Sequence, residues 1–209
     1  MKRVVITAAV AALISGAAPV AWAQDSRAST SVAATEGGQF VNDLASRAVS
    51  ELTTGDLSMP ERVTRFRGML TEAFDVPGIG RFVLGRYWRV ATDGEKSEYL
   101  KLFEDFIVQT YINRFNDFAG AQLRVLQTRS GQDGEVIATL DAALPGKPPA
   151  RFDVRMRREA NAFKIFDVVV EGISMSVTQR DDFAAVIQRN GGKIEGLLAS
   201  LREKTKSVH

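Results

Sequence analysis

Apolar residues recur along this chain at two different spacings, and the switch between them divides it. From Phe40 to Leu52, the positions Val41, Leu44, Ala45, Ala48, Val49 and Leu52 return at three- and four-residue steps, which predicts a helix with one buried face. The segment "TTGDLSMPERV" breaks that run. Ser58 with Glu61 three residues on, and Pro60 in the first turn, has the form of a capping box. It predicts a second helix to about Phe74, with Val63, Phe66, Leu70 and Phe74 on its face. A short third helix is expected from near Asp75 and Pro77 to Leu84, before Gly85. Thr92-Asp93-Gly94-Glu95 repeats the capping spacing and opens the strongest periodic segment: Tyr99, Leu102, Phe103, Phe106, Ile107, Tyr111, Phe115 and Phe118. That predicts one helix of about 25 residues with an aromatic stripe turned inward.

After Gly120 the period falls to two. Leu123/Val125, Val136/Ala138/Leu140, Phe152/Val154/Met156 and Phe163/Ile165 alternate with polar residues, separated by "SGQDG", "LPGKPPA" and "REANA". Four strands joined by short turns are most economically an antiparallel meander. Two helices close the chain: Arg180 to Arg189, carrying Phe183, Val186 and Ile187, and Lys193 to Lys204, carrying Ile194, Leu197, Leu198 and Leu201, with Asn190-Gly191-Gly192 between them. The fold class is therefore α+β. A twisted four-stranded antiparallel sheet packs against an N-terminal helical layer and the closing C-terminal helices.

The first 23 residues stand apart. Lys2 and Arg3, the apolar run from Val4 to Ile14 and the small residues of Ala21-Trp22-Ala23 have the layout of a cleaved secretory signal, which implies a periplasmic or secreted product. Residues 24–38, "QDSRASTSVAATEGG", are small and polar without a period and read as a flexible lead; residues 39–206 read as a single domain. Removing residues 1–23 takes away Lys2 and Arg3 and leaves 25 basic against 25 acidic residues. With no net charge and no basic stripe, nucleic acid is not an expected partner.

There is no cysteine, and the single histidine, His209, is the last residue. This excludes disulfide frameworks, thiolate chemistry and histidine-based triads, and no metal centre or cofactor is implied. Asp167 and Glu171 bracket the valines of "FDVVVEG". On a regular strand they would stand about 13 Å apart at about 3.3 Å per residue. Catalytic carboxylate pairs lie about 5 to 9.5 Å apart, so these two cannot act on one bond. The glycines of "DVPGIGRFVLG" match no phosphate-loop pattern and read as helix punctuation. "GRYWRV", residues 85 to 90, reads either as buried rings between solvated arginines or as an interfacial lip that touches a lipid head group. The aromatic stripe faces strand positions that are also large, with no polar cluster among them. A space between sheet and helices would then be apolar and suited to acyl chains or a polycyclic hydrocarbon.

Three segments carry a family resemblance: "FVLGRYWRVATDGEKSEYLKLFEDFIVQTY" (82–111), "PGKPPARFDVRMR" (145–157) and "FKIFDVVVEGISM" (163–175). Together they resemble the MlaC family, periplasmic phospholipid-binding components also known from toluene-tolerance transport systems, from about Phe40 to Lys204. Beyond "EGISM", the segment "TQRDDFAAVIQRNGGKIEGLLASLREK" looks closer to the hopanoid-associated HpnM branch. The resemblance implies a monomeric carrier of phospholipid or hopanoid that docks transiently on inner- and outer-membrane transport complexes, with a pocket between sheet and helices and no covalent step. By position, Val83, Tyr87 and Trp88 in the Val-Leu-Gly-aromatic motif and Phe103, Phe106, Ile107 and Tyr111 on the long helix are the expected lipid-binding residues. Strand parity adds Val154, Met156, Ile165 and Val169, and Ile173 and Met175 follow the sheet. The competing reading is a cone-shaped α+β enzyme on an apolar substrate with Asp141 or Asp167 as acid or base. A third is an adaptor that uses only its surface.

Overall fold

The computed structural model describes residues 22–52, 57–112, 122–143, 148–160 and 162–206, with side chains from residue 32 onward. Six helices and five strands follow in the order α1 (Trp22–Leu52), α2 (Met59–Ala73), α3 (Val76–Leu84), a 3-10 turn (Gly85–Arg89), α4 (Asp93–Ile112), β1 (Gln122–Ser130), β2 (Glu135–Ala143), β3 (Ala150–Glu159), β4 (Ala162–Val170), β5 (Ile173–Ser174), α5 (Met175–Arg189) and α6 (Ile194–Thr205). Both capping boxes form. Ser58 Oγ accepts from Glu61 N–H while the Glu61 carboxylate accepts from Ser58 N–H, and Thr92 and Glu95 exchange the same pair of bonds.

The strands pair as an antiparallel meander, β1-β2-β3-β4-β5. Its outer face is polar and laced by cross-strand pairs: Arg155 with Glu135, Arg151 with Asp141 at 3.5 Å, and Thr139 Oγ1 donating to Asp153 at 2.6 Å. The inner face carries Val136, Ala138, Leu140, Val154 and Met156 and is covered by helices.

The first helix is longer than its predicted start at Phe40, and it runs through the stretch expected to be a flexible lead. The reason is close approach to the sheet. A Cβ on Gly37 would stand 2.6 Å from Val136 Cγ1, and one on Gly38 2.8 Å from Thr128 Cγ2. The glycines let α1 lie directly on β1 and β2, and this contact outweighs their poor helix propensity of about 1 kcal/mol each. Residues 1–21 of the expected leader (1–23) and the positions Phe115 and Phe118, expected to extend α4, lie outside the described residues.

Helix α5 begins at Met175, not near Arg180 as expected. Glu171 and Gly172 both take positive φ (49° and 83°), which folds Ile173-Ser174 back onto Val169-Val170 as a two-residue fifth strand. Ser174 then caps the helix, accepting from Val177 N–H at 3.1 Å.

Away from the sheet, α3, α4, α5 and α6 close around Tyr99, Phe103, Phe183, Ile187 and Leu198. The Phe183 ring meets Tyr99 and Phe103 edge-on at 6.3 and 6.2 Å. Polar pins fix the helices to one another and to the sheet. Arg67 on α2 bonds Glu104 (2.6 Å) and Asp105 (2.7 Å) on α4, and Lys164 Nζ donates to the last carbonyls of α2, Thr71 at 2.9 Å and Glu72 at 2.7 Å.

Candidate functional site

Helix α4 and the inner face of β3 and β4 do not meet. Between them lies a cavity of about 440 Å³, and a second lobe of about 260 Å³ continues under α1. Helix α4 supplies Phe103, Phe106, Ile107 and Tyr111 to the larger lobe, and α3 supplies Ile79 and Val83. The sheet supplies Leu123, Phe152, Val168 and Val170, and the start of α5 supplies Met175, Ser176 and Gln179. Val41, Leu44, Met69, Leu140, Val154 and Ile165 line the smaller lobe. Phe66 and Leu70 on α2 and Phe74 just beyond it border both lobes, as do Ala48, Leu123, Phe152 and Val168. Asp167, Ser176 and Gln179, with the Tyr111 hydroxyl, are the polar groups among the described lining residues.

Asp167 is already committed. Its Oδ2 accepts from Ser174 Oγ at 2.7 Å, its Oδ1 from Ser176 Oγ at 2.7 Å and Ser176 N–H at 3.2 Å, and Arg155 Nη1 stands 3.7 Å away. The carboxylate thus fastens the first turn of α5 to β4. Asp141 sits on the outer sheet face beside Arg151, away from the cavity. Glu171 accepts from Arg151 N–H at 2.6 Å and completes the β4–β5 turn. Of the three, Asp167 alone borders the larger lobe, and both of its carboxylate oxygens are taken up by these bonds. Among the described residues no group of three or more His, Cys, Asp or Glu is placed to hold a metal.

Of the residues expected to bind lipid, Val83, Phe103, Phe106, Ile107, Tyr111 and Met175 line the larger lobe, and Val154 and Ile165 the smaller. Five line neither. Tyr87 is buried in the helical core, and Trp88 packs at its edge between Arg81 (5.9 Å from the ring centroid) and Lys96 (5.8 Å). Met156 is fully buried at the closed end of the sheet core. Ile173, past the turn, is 60% exposed.

Val169 is displaced by a bulge. Arg155 pairs with Asp167 but its neighbour Met156 pairs with Ile165, so Phe166 is an extra residue in β4 and side-chain parity reverses beyond it. Val168 and Val170, opposite Val154 and Phe152, take the inner face instead. Sequence reasoning also missed Phe66, Leu70 and Phe74 as lining residues. Their helical periodicity was the available signal, but it does not separate a face that packs from one that faces a void.

A family model for "MlaC protein" matches residues 40–203. The chain belongs to the MlaC family. This is a periplasmic, lipid-binding family without catalytic activity. Among solved structures the chain is similar to the phospholipid-binding protein of Ralstonia solanacearum, determined in complex with a phospholipid at 1.53 Å. The likeness has a TM-score of 0.70 at 20% identity, over 82% of this chain and 97% of that one, and it is a likeness of fold. Among the described residues, no helix of this MlaC protein is long and apolar enough to cross a membrane.

Proposed function

We propose that this MlaC protein is a periplasmic carrier that holds a phospholipid by its acyl chains and passes it between membrane-bound transport complexes without a covalent step. The observation that carries this reading is the two-lobed cavity, whose volumes of about 440 and 260 Å³ fall in or near the range of ~300–1,000 Å³ usual for ligand pockets. Its walls are almost wholly apolar, so the driving force is burial, about 0.8 kcal/mol per methylene withdrawn from water. Two apolar lobes that share the wall of Phe66, Leu70 and Phe74 suit a two-chain lipid. In the related Ralstonia protein the bound ligand is a phospholipid. Residues 1–23 would be removed on export, and residues 39–206 act as one unit.

The hopanoid-like character of the segment from Thr178 to Lys204 supports a second reading, in which a polycyclic hydrocarbon fills the same space. Organic extraction of the purified protein followed by mass spectrometry separates the two. Phospholipid masses are expected, hopanoid masses would assign the second ligand, and no lipid under several expression conditions would overturn the carrier reading.

A further inference from the structure

The cavity has a polar end. Asp167, Ser176 and Gln179 gather where β4 meets the first turns of α5, whereas the lobe under α1 is apolar throughout. A two-ended lipid would therefore lie with its chains toward α1 and its head toward α5. Asp167 is consumed by its three hydrogen bonds and Arg155, and no cation is among the described residues that line the cavity. A phosphate is thus not drawn inside, and its counter-charge must come from the rim.

Arg180 is not itself a lining residue but directly follows the lining residues of α5. It lies one helical turn beyond Ser176 and next to Gln179, on the edge of the α5 face that lines the space. Its guanidinium carbon stands 5.2 Å from the centroid of the Phe82 ring, beside the cavity-lining Val83. Its Nε rests against Gly85, where a Cβ would approach to 3.0 Å and where φ of +59° already favours glycine. The side chain is exposed, and no described carboxylate pairs with it. Asp181 and Asp182 follow it at about 100° and 200° around the helix axis. An arginine held in place by a ring and a glycine, with its donors open to solvent, is pre-arranged for a phosphate oxygen pair.

We infer that Arg180 binds the phosphate of the lipid head group at the cavity mouth, an assignment that rests on the carrier reading above. The test uses two lipids with the same chains, dioleoylphosphatidylglycerol and dioleoylglycerol, loaded into delipidated protein and counted by native mass spectrometry. Arg180→Gln should lower retention of the phospholipid about tenfold, leave dioleoylglycerol unchanged, and be partly rescued by Arg180→Lys. Glycerol 3-phosphate, which carries the charge without the chains, should not displace bound phospholipid. If it does, and Arg180→Gln abolishes that effect, the site serves a soluble phosphate and the lipid assignment falls. Equal retention of both lipids by wild type and Arg180→Gln would overturn the assignment while leaving the carrier intact. If wild type retains neither lipid, both fall together.

Discussion

Among α3, α4, α5 and α6 the apolar side chains close on one another, whereas between α4 and the sheet they stop short, although both regions use the same residue types. Tyr99, Val108, Ile187 and Leu198 are wholly withdrawn from solvent on the closed side. Phe106, Ile107 and Tyr111, on the same helix, border empty space. The difference lies in what holds the walls. Helix α4 is fixed by α6, through the closed core and the Arg202–Glu98 bond of 2.6 Å, and α2 is fixed by Arg67 and Lys164. Walls tied down elsewhere cannot collapse inward to recover the dispersion contacts that a void forfeits. Stability is therefore concentrated in the closed core, and the hollow is free to be shaped for a ligand.

One pair of substitutions tests that division directly. Leu198→Ala opens a hole where the chain has none and should cost about 2–5 kcal/mol in chemical denaturation, with lipid content per folded molecule unchanged. Val168→Phe adds volume to a wall shared by both lobes. It should cost under about 1 kcal/mol, because no side chain occupies the space it enters, and yet remove most of the bound lipid. Similar stability losses for the two would show that the cavity wall is packed like the core, and the comparison would fail.

Asp167 lies at the seam of the two regions, and Asp167→Asn sharpens its role. The amide keeps one acceptor but faces Ser174 and Ser176 with donors, and it leaves Arg155 with Glu135 alone. A loss of roughly 1–3 kcal/mol is expected, with lipid binding and transfer retained. Loss of a turnover with binding intact would instead revive the enzyme reading.

The closed region was far more legible in the sequence than the hollow one. Helix caps are local: Thr92 with Glu95 announces α4 within four residues, and the leucines of α6 repeat at a spacing that only a buried face requires. The hollow depends on pairings between distant residues. Whether Val168 or Val169 faces inward is decided by the bulge opposite Arg155 and Met156, and the start of α5 is decided by Ser174 and by Asp167 on β4. A period-two pattern cannot report a single inserted residue, so the parity argument placed Val169 on the wrong face.

The smallest effect concerns the ring that seals the closed core. Tyr99 Oη donates to Gly80 carbonyl at 3.0 Å, and burial pushes its hydroxyl well above its ordinary pKa of 10.0. Tyr99→Phe should cost about 1 kcal/mol at neutral pH. The folded wild type keeps this proton while the unfolded chain releases it above about pH 10, so the unfolded state then binds fewer protons and stability falls as pH rises, by at most about 1.4 kcal/mol per pH unit. Tyr99→Phe lacks that dependence. The wild-type advantage should be constant below about pH 10 and shrink above it, measured as the difference between denaturation midpoints of the two proteins. A difference that stays level to high pH would mean that Tyr99 ionises as readily in the folded chain as in the unfolded one, and that the closed core admits water around its ring.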